Sequence, residues 1–584
     1  MKPSFVTDHL DIWTSAIEKK SASGRGRNNK ISLYGIKKLR ELILELAVRG
    51  KLVPQDPNDE PASMLLEKIA AEKERLIKEG KIKKPKKLSE VTDDEKPFDL
   101  PEGWEWTKLG NLSSNIHYGY TASAKPEGKG IRLLRITDIQ NDRVNWGTVP
   151  GCEITATKAK DYLLENDDVL IARTGGTIGK SYLVENINLK TVFASYLIRV
   201  KKISAMYSPF IKKFLGSNTY WSQLYEHSSG TGQPNVNATS LKSLIVPIPP
   251  EEEQHHIVAK VDELMSLCDQ LEQQTENSIA AHQTLVETLL NTLSQSQNAE
   301  ELTQNWNRIS DHFDTLFTTE HSIDQLKQTI LQLAVMGKLV PQDPNDEPAS
   351  VLLENIAAEK ERLIKDKKIK KQKSLPEISE DEKPFELPEG WKWIRMGAVC
   401  HTVADGPHFS PKYVEKEEGI PFLSGRNINI DSIDLNTAKY VSRKDHEEFC
   451  RRVKPKLGDI LYTKGGTTGI AKVNDIDIEF SVWVHVAVLQ IPNDKVYDEF
   501  LALALNCPHC YKQSQKLTHG IGNKDLGLTR MIKITIPFPP LEEQHRIVTK
   551  VNQLMMMCEQ IKNHITIAQT TRLHLTDAII EQAV

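Results

Sequence analysis

One thirteen-residue string, KLVPQDPNDEPAS, occurs twice in this chain, at residues 51–63 and again at 338–350, an offset of 287. A repeat of this kind constrains the fold more than any local pattern, because two stretches must adopt the same structure and bury equivalent faces. The match continues in register through IAAEKERLIK (69–78 and 356–365) and through KPFDLPEGWEW (96–106) against KPFELPEGWKW (383–393). A second repeated block, VPIPPEEEQHHIVAKV at 246–261, is answered by IPFPPLEEQHRIVTKV at 536–551, now at an offset of 290. Two nearly equal halves share a frame, and the residues inside each frame, 107–245 and 394–535, differ greatly. A duplicated frame implies a pseudo-twofold molecule, so that whatever binds one copy should bind the other.

Short islands survive within the divergent parts. DVLIARTGG (168–176) parallels DILYTKGG (459–466), LLRITDIQ (133–140) parallels FLSGRNIN (422–429), and GQPNVNATSLKSLIVPIPP parallels GNKDLGLTRMIKITIPFPP ahead of the second block. Short β-branched runs punctuated by Gly, Asn and Pro predict mixed α/β heads of one fold with different surfaces. The frame itself reads as helix. Ile257, Val261, Leu264, Cys268 and Leu271 step by four and three, and Ile547, Val551, Leu554, Cys558, Ile561, Ile565, Ala568, Leu575 and Ile579 keep the same register with Arg572 as the exception. This is heptad spacing, and such a seam needs partner helices. The stripes Ile36, Leu39, Leu42, Ile43, Leu46 and Ile323, Leu326, Ile330, Leu333 are the candidates.

Composition narrows the function. Of 584 residues 39% are hydrophobic and 26% charged, as expected of a soluble globular chain. No long apolar span or secretion signal is visible, and seven irregularly spaced cysteines do not form a disulfide framework, so a reducing cytoplasm is expected. The net charge of -4 leaves only local surfaces for binding a polyanion. RTGGTIGKS at 173–181 ends like a phosphate-binding loop, but Thr174 stands where the first glycine is required. A tight turn that brings backbone N–H groups and Arg173, or Lys464 in the other half, towards a phosphate fits better. CPHC at 507–510 is read as structural, since Leu501 to Asn506 reads as helix and no second metal-binding pair completes a site. Methyltransferase, hydrolase, metalloprotease and helicase motifs are all missing, so the chain is expected to be non-catalytic. The lysine-rich runs 78–87 and 365–373 and the basic loop 23–30 read as solvated surface able to touch phosphates.

With a duplicated helical frame, two divergent heads, PPLEEQHRIV after a head and LPEGWEW before it, the chain resembles the specificity subunit of a type I restriction-modification system. LAVRGKLVPQDPNDEPAS and the circular layout of repeats resemble the IB subgroup, and YGYTASA (118–124) and DGPHFSP (405–411) look like openings of that family's target recognition domains. The resemblance implies an α+β chain in which two mixed α/β target recognition domains are joined by long antiparallel coiled-coil helices. The expected divisions are a helical framework at 1–106, target recognition domains at 107–245 and 394–535, a central helical framework at 246–393, and a C-terminal coiled-coil helix at 536–584. A helix from Ile257 to Leu289, roughly 50 Å long at about 1.5 Å per residue, would exceed one DNA turn of about 34 Å.

The same resemblance implies double-stranded DNA as ligand, each head reading half of a split, asymmetric sequence. It also implies two modification subunits carrying S-adenosylmethionine chemistry at adenine N6, and restriction/motor subunits, two of them, using ATP and Mg. No cofactor, metal or membrane contact is expected of this chain. Base contacts should come from polar side chains in the divergent parts, as in the usual arginine–guanine and amide–adenine pairings. The candidates are Tyr118, Tyr120, Arg135, Arg173, Gln233 and Asn235 in the first head, and His408, Arg426, Asn427, Lys464, Asn523 and Lys524 in the second. Gly175, Gly176, Gly465 and Gly466 read as turn formers. The competing reading is a coiled-coil scaffold with two protein- or peptide-binding heads.

Overall fold

The computed structural model of the chain describes residues 8–20, 30–125, 130–226, 235–520 and 524–584. Most of the basic loop at 23–30 and two candidates, Gln233 and Asn523, lie outside them. The chain divides into two compact units, residues 1–278 with 568–584, and residues 279–567.

After a short helix at Leu10–Ser15 and a hairpin of Glu18–Lys20 with Lys30–Ser32, the first unit contains helices α1 (Tyr34–Val48) and α2 (Ala62–Lys78). Strand β1 (Glu105–Lys108) leads into the head, whose strands are β2 (Asn115–Tyr118), β3 (Arg132–Leu134), β4 (Val169–Ala172), β5 (Ser181–Leu183), β6 (Thr191–Phe193) and β7 (Leu197–Lys201). Strand β8 (Ile245–Ile248) leaves it, and helix α3 (Glu251–Gln295) follows. The head's main sheet is antiparallel with order β2-β7-β4-β5, and β3 and β6 form a separate parallel pair. Strand β4, VLIA, is apolar throughout because both faces of its sheet are covered. Val169 and Ile171 join the core made with the frame helices, while Leu170 and Ala172 join a distal core with Leu134, Trp146 and Phe193.

The second unit repeats this plan. It contains α4 (Glu320–Val335), α5 (Ala349–Lys365) and β9 (Lys392–Arg395). Its head holds β10 (Thr402–Asp405), β11 (Ile420–Leu423), β12 (Lys439–Val441), helix α6 (Arg443–Cys450), β13 (Ile460–Thr463), β14 (Ala471–Val473), β15 (Ser481–Val482) and β16 (Val486–Gln490). Helices α7 (Asp498–Asn506) and α8 (Pro508–Leu517), strand β17 (Thr535–Phe538) and helix α9 (Leu541–Ala583) complete it, the last 16 residues of α9 belonging to the first unit. The sheet β10-β16-β13-β14 matches that of the first head strand for strand, and β12-β11-β15 stands where β3 and β6 stand there.

Each head is closed at its base by an antiparallel pair, β1 with β8 and β9 with β17, in the same register: Trp106 opposes Pro247 and Trp393 opposes Pro537. Next to each pair is a buried polar knot made wholly of repeated residues. The Glu253 carboxylate accepts from Trp104 Nε1 at 2.8 Å and Gln55 Nε2 at 3.0 Å, and Glu543 accepts from Trp391 Nε1 at 2.8 Å and Gln342 Nε2 at 3.0 Å. Gln55 and Gln342 also donate to the carbonyls of Gly50 and Gly337, which end α1 and α4 at φ 66° and 67°. Three segments distant in sequence are thus tied at one carboxylate, which burial pushes above the ordinary glutamate range in both copies.

The helical frame follows the heptad reading up to a point. Ile257, Val261, Leu264 and Cys268 are buried in one core with the α1 stripe, and Ile547, Val551 and Cys558 in one core with the α4 stripe. Arg40 on α1 pairs with Asp269 and Glu272 on α3, both at 2.7 Å. Beyond Ile565 the expected register holds at Ile579 but not at Ala568, which is exposed, or at Leu575, which is 44% exposed; Thr576 and Ala583 are buried instead. An α-helix drifts by about 20° per heptad against a strict 3.5-residue repeat, and the eleven-residue step from Ile565 to Thr576 absorbs that drift. The central helix exceeds expectation: α3 has 45 residues, roughly 68 Å at about 1.5 Å each, whereas α9, with 43, lies within the expected 536–584. Among the described residues no helix is long and apolar enough to cross a membrane.

Two predictions follow from the frame. Glu253→Gln keeps one acceptor oxygen but turns an amide NH2 towards one of the two donors, and should destabilise the first unit by about 1–3 kcal/mol; Glu543→Gln should do the same to the second, and Glu252→Gln, on the exposed side of the turn, should change stability by under about 0.5 kcal/mol. Chemical denaturation of the three variants checks this. In the segment before β9, the Arg395 guanidinium grips Glu382 through two 2.7 Å contacts and holds its carboxyl at about 2, against an ordinary 4.5. A depressed carboxylate stabilises the fold above the ordinary value, and that contribution is lost as pH falls from 4.5 towards 2. The melting-temperature difference between wild type and Glu382→Gln should therefore be constant above pH 4.5 and shrink below it.

Candidate nucleic-acid interface

In both heads the end of the central strand is followed by a basic residue, Arg173 after β4 and Lys464 after β13. Each is then bridged to the segment leading out of the head: Thr174 pairs with Asn235, and Gly465 with Asp525. Gly175 and Gly466 follow at φ 70° and 77°, so each turn needs a glycine there. The chain after Gly179 passes through Lys180 into strand β5 at Ser181 and not into a helix, which removes the phosphate-loop geometry from RTGGTIGKS. The other flank of this turn lines a cavity of about 580 Å³ with Ile136, Thr177, Lys180, Lys212 and Trp221.

The last residue of the first head strand completes each site. Tyr118 ends β2, and Asp405 ends β10. Both precede a glycine that admits no side chain: a Cβ on Gly119 would lie 2.3 Å from the carbonyl oxygens of Phe193 and Ala194, and one on Gly406 would lie 1.7 Å from that of Val482. This close approach seats the preceding side chain against the basic residue. In the first head the Arg173 guanidinium lies 4.6 Å from the Tyr118 ring centroid and donates from Nε to Asn235 Oδ1 at 3.4 Å, while the Tyr118 hydroxyl accepts from the Ala238 N–H at 3.1 Å. In the second, Lys464 Nζ lies 2.8 Å from Asp525 Oδ1 and 3.4 Å from Asp405 Oδ2, and donates to the Val484 carbonyl at 3.0 Å. Tyr118, Arg173 and Asn235 correspond by position to Asp405, Lys464 and Asp525.

The structure thus brings together Tyr118, Arg173 and Asn235. Tyr120 is half-buried, its ring 5.5 Å from Tyr162. Arg135 lies apart, held by Asp138 through contacts of 3.0 and 2.7 Å. His408 and Arg426 are exposed, and Lys524 is exposed beside the turn, its carbonyl accepting from the Gly466 N–H. Two expectations need correction. Asn427 is buried, at 1% exposure, and caps a short 3₁₀ turn through Ser424 while donating to the Asp434 carbonyl, the position that Asp138 fills in the first head. Lys464, at 3% exposure, is engaged by two carboxylates and does not stand free before a phosphate. The cysteine reading also changes in one detail: α8 does open at Cys507, its N-cap, although both thiols are fully buried.

Sequence inspection missed Asp405, Asp525, Arg452, Tyr196 and His485. Tyr196 and His485 stand at the same place, their carbonyls accepting from the N–H of Arg173 and of Lys464, and Tyr196 is 65% exposed. The YG and DG pairs at 118–119 and 405–406, both at the repeat offset, were the available signal for Asp405.

Paired sites of one geometry and different chemistry, set in a duplicated helical frame, define a two-headed recognition protein. The chain matches the type I restriction modification DNA specificity domain family twice, over residues 101–281 and 388–568. It is 40% identical over 607 residues to the type I restriction enzyme EcoAI specificity subunit of Escherichia coli, and 40% identical over 604 residues to the EcoEI specificity subunit of the same organism, with 99% of each chain covered in both comparisons. A crystal structure of the HsdS subunit from Thermoanaerobacter tengcongensis aligns with a TM-score of 0.41 and 18% identity over 83% of this chain and 98% of that one. The chain belongs to the family of type I restriction-modification DNA specificity subunits.

The matched positions should differ in cost. Lys464→Met leaves two carboxylates facing each other at the buried end of the site, and should destabilise the second unit by about 3 kcal/mol. Arg173→Met removes a half-buried stacking cation and should cost under about 1 kcal/mol. Urea titrations of both variants against wild type check the contrast.

Proposed function

We propose that each head reads one half of a split, asymmetric duplex DNA sequence. On this reading the chain directs adenine methylation, and cleavage of unmethylated DNA, by partner subunits. The observation that carries this is the pair of equivalent sites. Tyr118, Arg173 and Asn235 offer an aromatic face, a guanidinium and an amide, whereas in the second head Lys464 is buried between Asp405 and Asp525, and the groups facing outward there are Asp525 and the Arg452 and His408 that meet Asp405. Reading two different half-sites from one scaffold requires such a change of donors and acceptors at fixed positions. The divisions are those of the repeat: heads at 107–245 and 394–535, frame segments at 1–106, 246–393 and 536–584.

The repeated frame would dock two modification subunits, and restriction/motor subunits would join them. S-adenosylmethionine, ATP and Mg would be handled by those partners in the cytoplasm, and this chain would carry no cofactor. Family membership does not favour the scaffold with peptide-binding heads. Of the sequence candidates, Tyr118, Tyr120, Arg173, Asn235, His408, Arg426 and Lys524 remain as direct DNA contacts, as do Gln233 and Asn523; Arg135 would act once released from Asp138.

The test is to map methylated adenines in host DNA with the chain and its modification partner present, and again after replacing residues 107–245 or 394–535 by a foreign head. A bipartite motif should appear, one half changing with each replacement. Binding of the complex to its duplex should weaken with salt, the logarithm of affinity falling by about 0.9 per phosphate contacted for each tenfold rise. A complex that assembles but yields no motif dependent on this chain would overturn the reading.

A further inference from the structure

Asp405 gathers three basic side chains in the second head. At 1% exposure its carboxylate is met by Lys464 at 3.4 Å, by His408 Nε2 at 3.3 Å and by Arg452 Nη2 in an ion pair. Lys464 is itself buried, and Asp525 supplies a second carboxylate to it. Arg452 is different. It follows the C-terminal end of α6, its backbone N–H donates to the Phe449 carbonyl, and its side chain is about half exposed. Only Nη2 is engaged, by Asp405 and by His408 at 3.2 Å; among the described residues Nε and Nη1 have no recorded acceptor. A guanidinium offers five donors in a rigid fork, and because both of its paired edges include Nη2, the Nε and Nη1 hydrogens remain as separate donors free to meet an acceptor.

We infer that Arg452 is a base-reading residue of the second head, donating to a guanine of its half-site, and that Asp405 is its positioning residue. This rests on the DNA-reading function proposed above. An arginine on a flexible surface pays side-chain entropy when it binds, whereas one pinned by a buried carboxylate is already oriented, and functional side chains gain accuracy from such support. The support is also tightly packed: Gly406 lies so close to the Val482 carbonyl that no side chain fits beside Asp405 there. Other exposed arginines of this head lack it. Arg443 pairs with Glu479, which is itself about half exposed, and the Asp525 partner of Arg530 is similarly exposed. In the first head the position of Asp405 is held by Tyr118, which stacks on Arg173, so the two heads would present arginine from different elements and at different places.

The experiment uses the assembled complex and duplexes carrying its own bipartite site, with each base pair of the second half-site changed in turn. Wild type should lose affinity at every recognised pair. Arg452→Ala should lose about 5- to 150-fold on the cognate duplex and stop discriminating at one G·C pair while keeping discrimination at the others. Arg452→Lys, which keeps the charge but not the fork, should not restore it, and Asp405→Asn should weaken discrimination at that same pair, with first-half discrimination unchanged in all three. Equal loss on every duplex would make Arg452 a phosphate contact, and unaltered discrimination would leave it a surface residue; either result overturns the inference while the two-headed reading stands. A wild-type complex indifferent to all base changes would instead sink the reading itself.

Discussion

A carboxylate buried beside a tryptophan and a glutamine holds each half of this protein together. Glu253 and Glu543 open the two long helices, Trp104 and Trp391 precede the head strands, and Gln55 and Gln342 follow the helices that cover them. Each residue is useless without the other two, because a buried carboxylate without donors, or an indole N–H without an acceptor, costs more than the knot contributes. Hence the repeat survives as blocks: KLVPQDP, LPEGW and PPEEEQ are the three arms of one local structure and cannot drift separately. The head between the second and third arms is released from this constraint, since it meets the knot only through the strand pairs at its base.

The same logic explains what could be read from the sequence. The frame was legible because its contacts are between repeated residues, and the main head strands because VLIA and ILYT are buried on both faces. The C-terminal end of the helical seam was misjudged at Leu575, since a heptad written along the chain ignores the drift of a straight helix. Asn427 looked like a base reader because asparagine often is one, yet a 3₁₀ turn, invisible as spacing, uses it as a cap.

The second site was the least legible. Its members come from the ends of β10 and β13, from the second residue beyond α6 and from the segment before β17, so four separate stretches meet at Asp405 and Lys464. Buried ion pairs arise from such convergence, and no local pattern announces them. By contrast the turn glycines, which act on their own backbone, were evident.

This difference between the heads bears on how each could change over generations. Around Arg173 the neighbours are an aromatic ring and a neutral amide, so a single replacement leaves no charge stranded and intermediate sequences remain foldable. Around Lys464 the neighbours are carboxylates, so replacing Lys464 alone sets Asp405 against Asp525, and replacing Asp405 alone removes the partner shared by Lys464, Arg452 and His408. Stepwise substitution is therefore open to the first head and largely closed to the second, for which wholesale replacement of the cassette by recombination between the repeats is the accessible route to a new target.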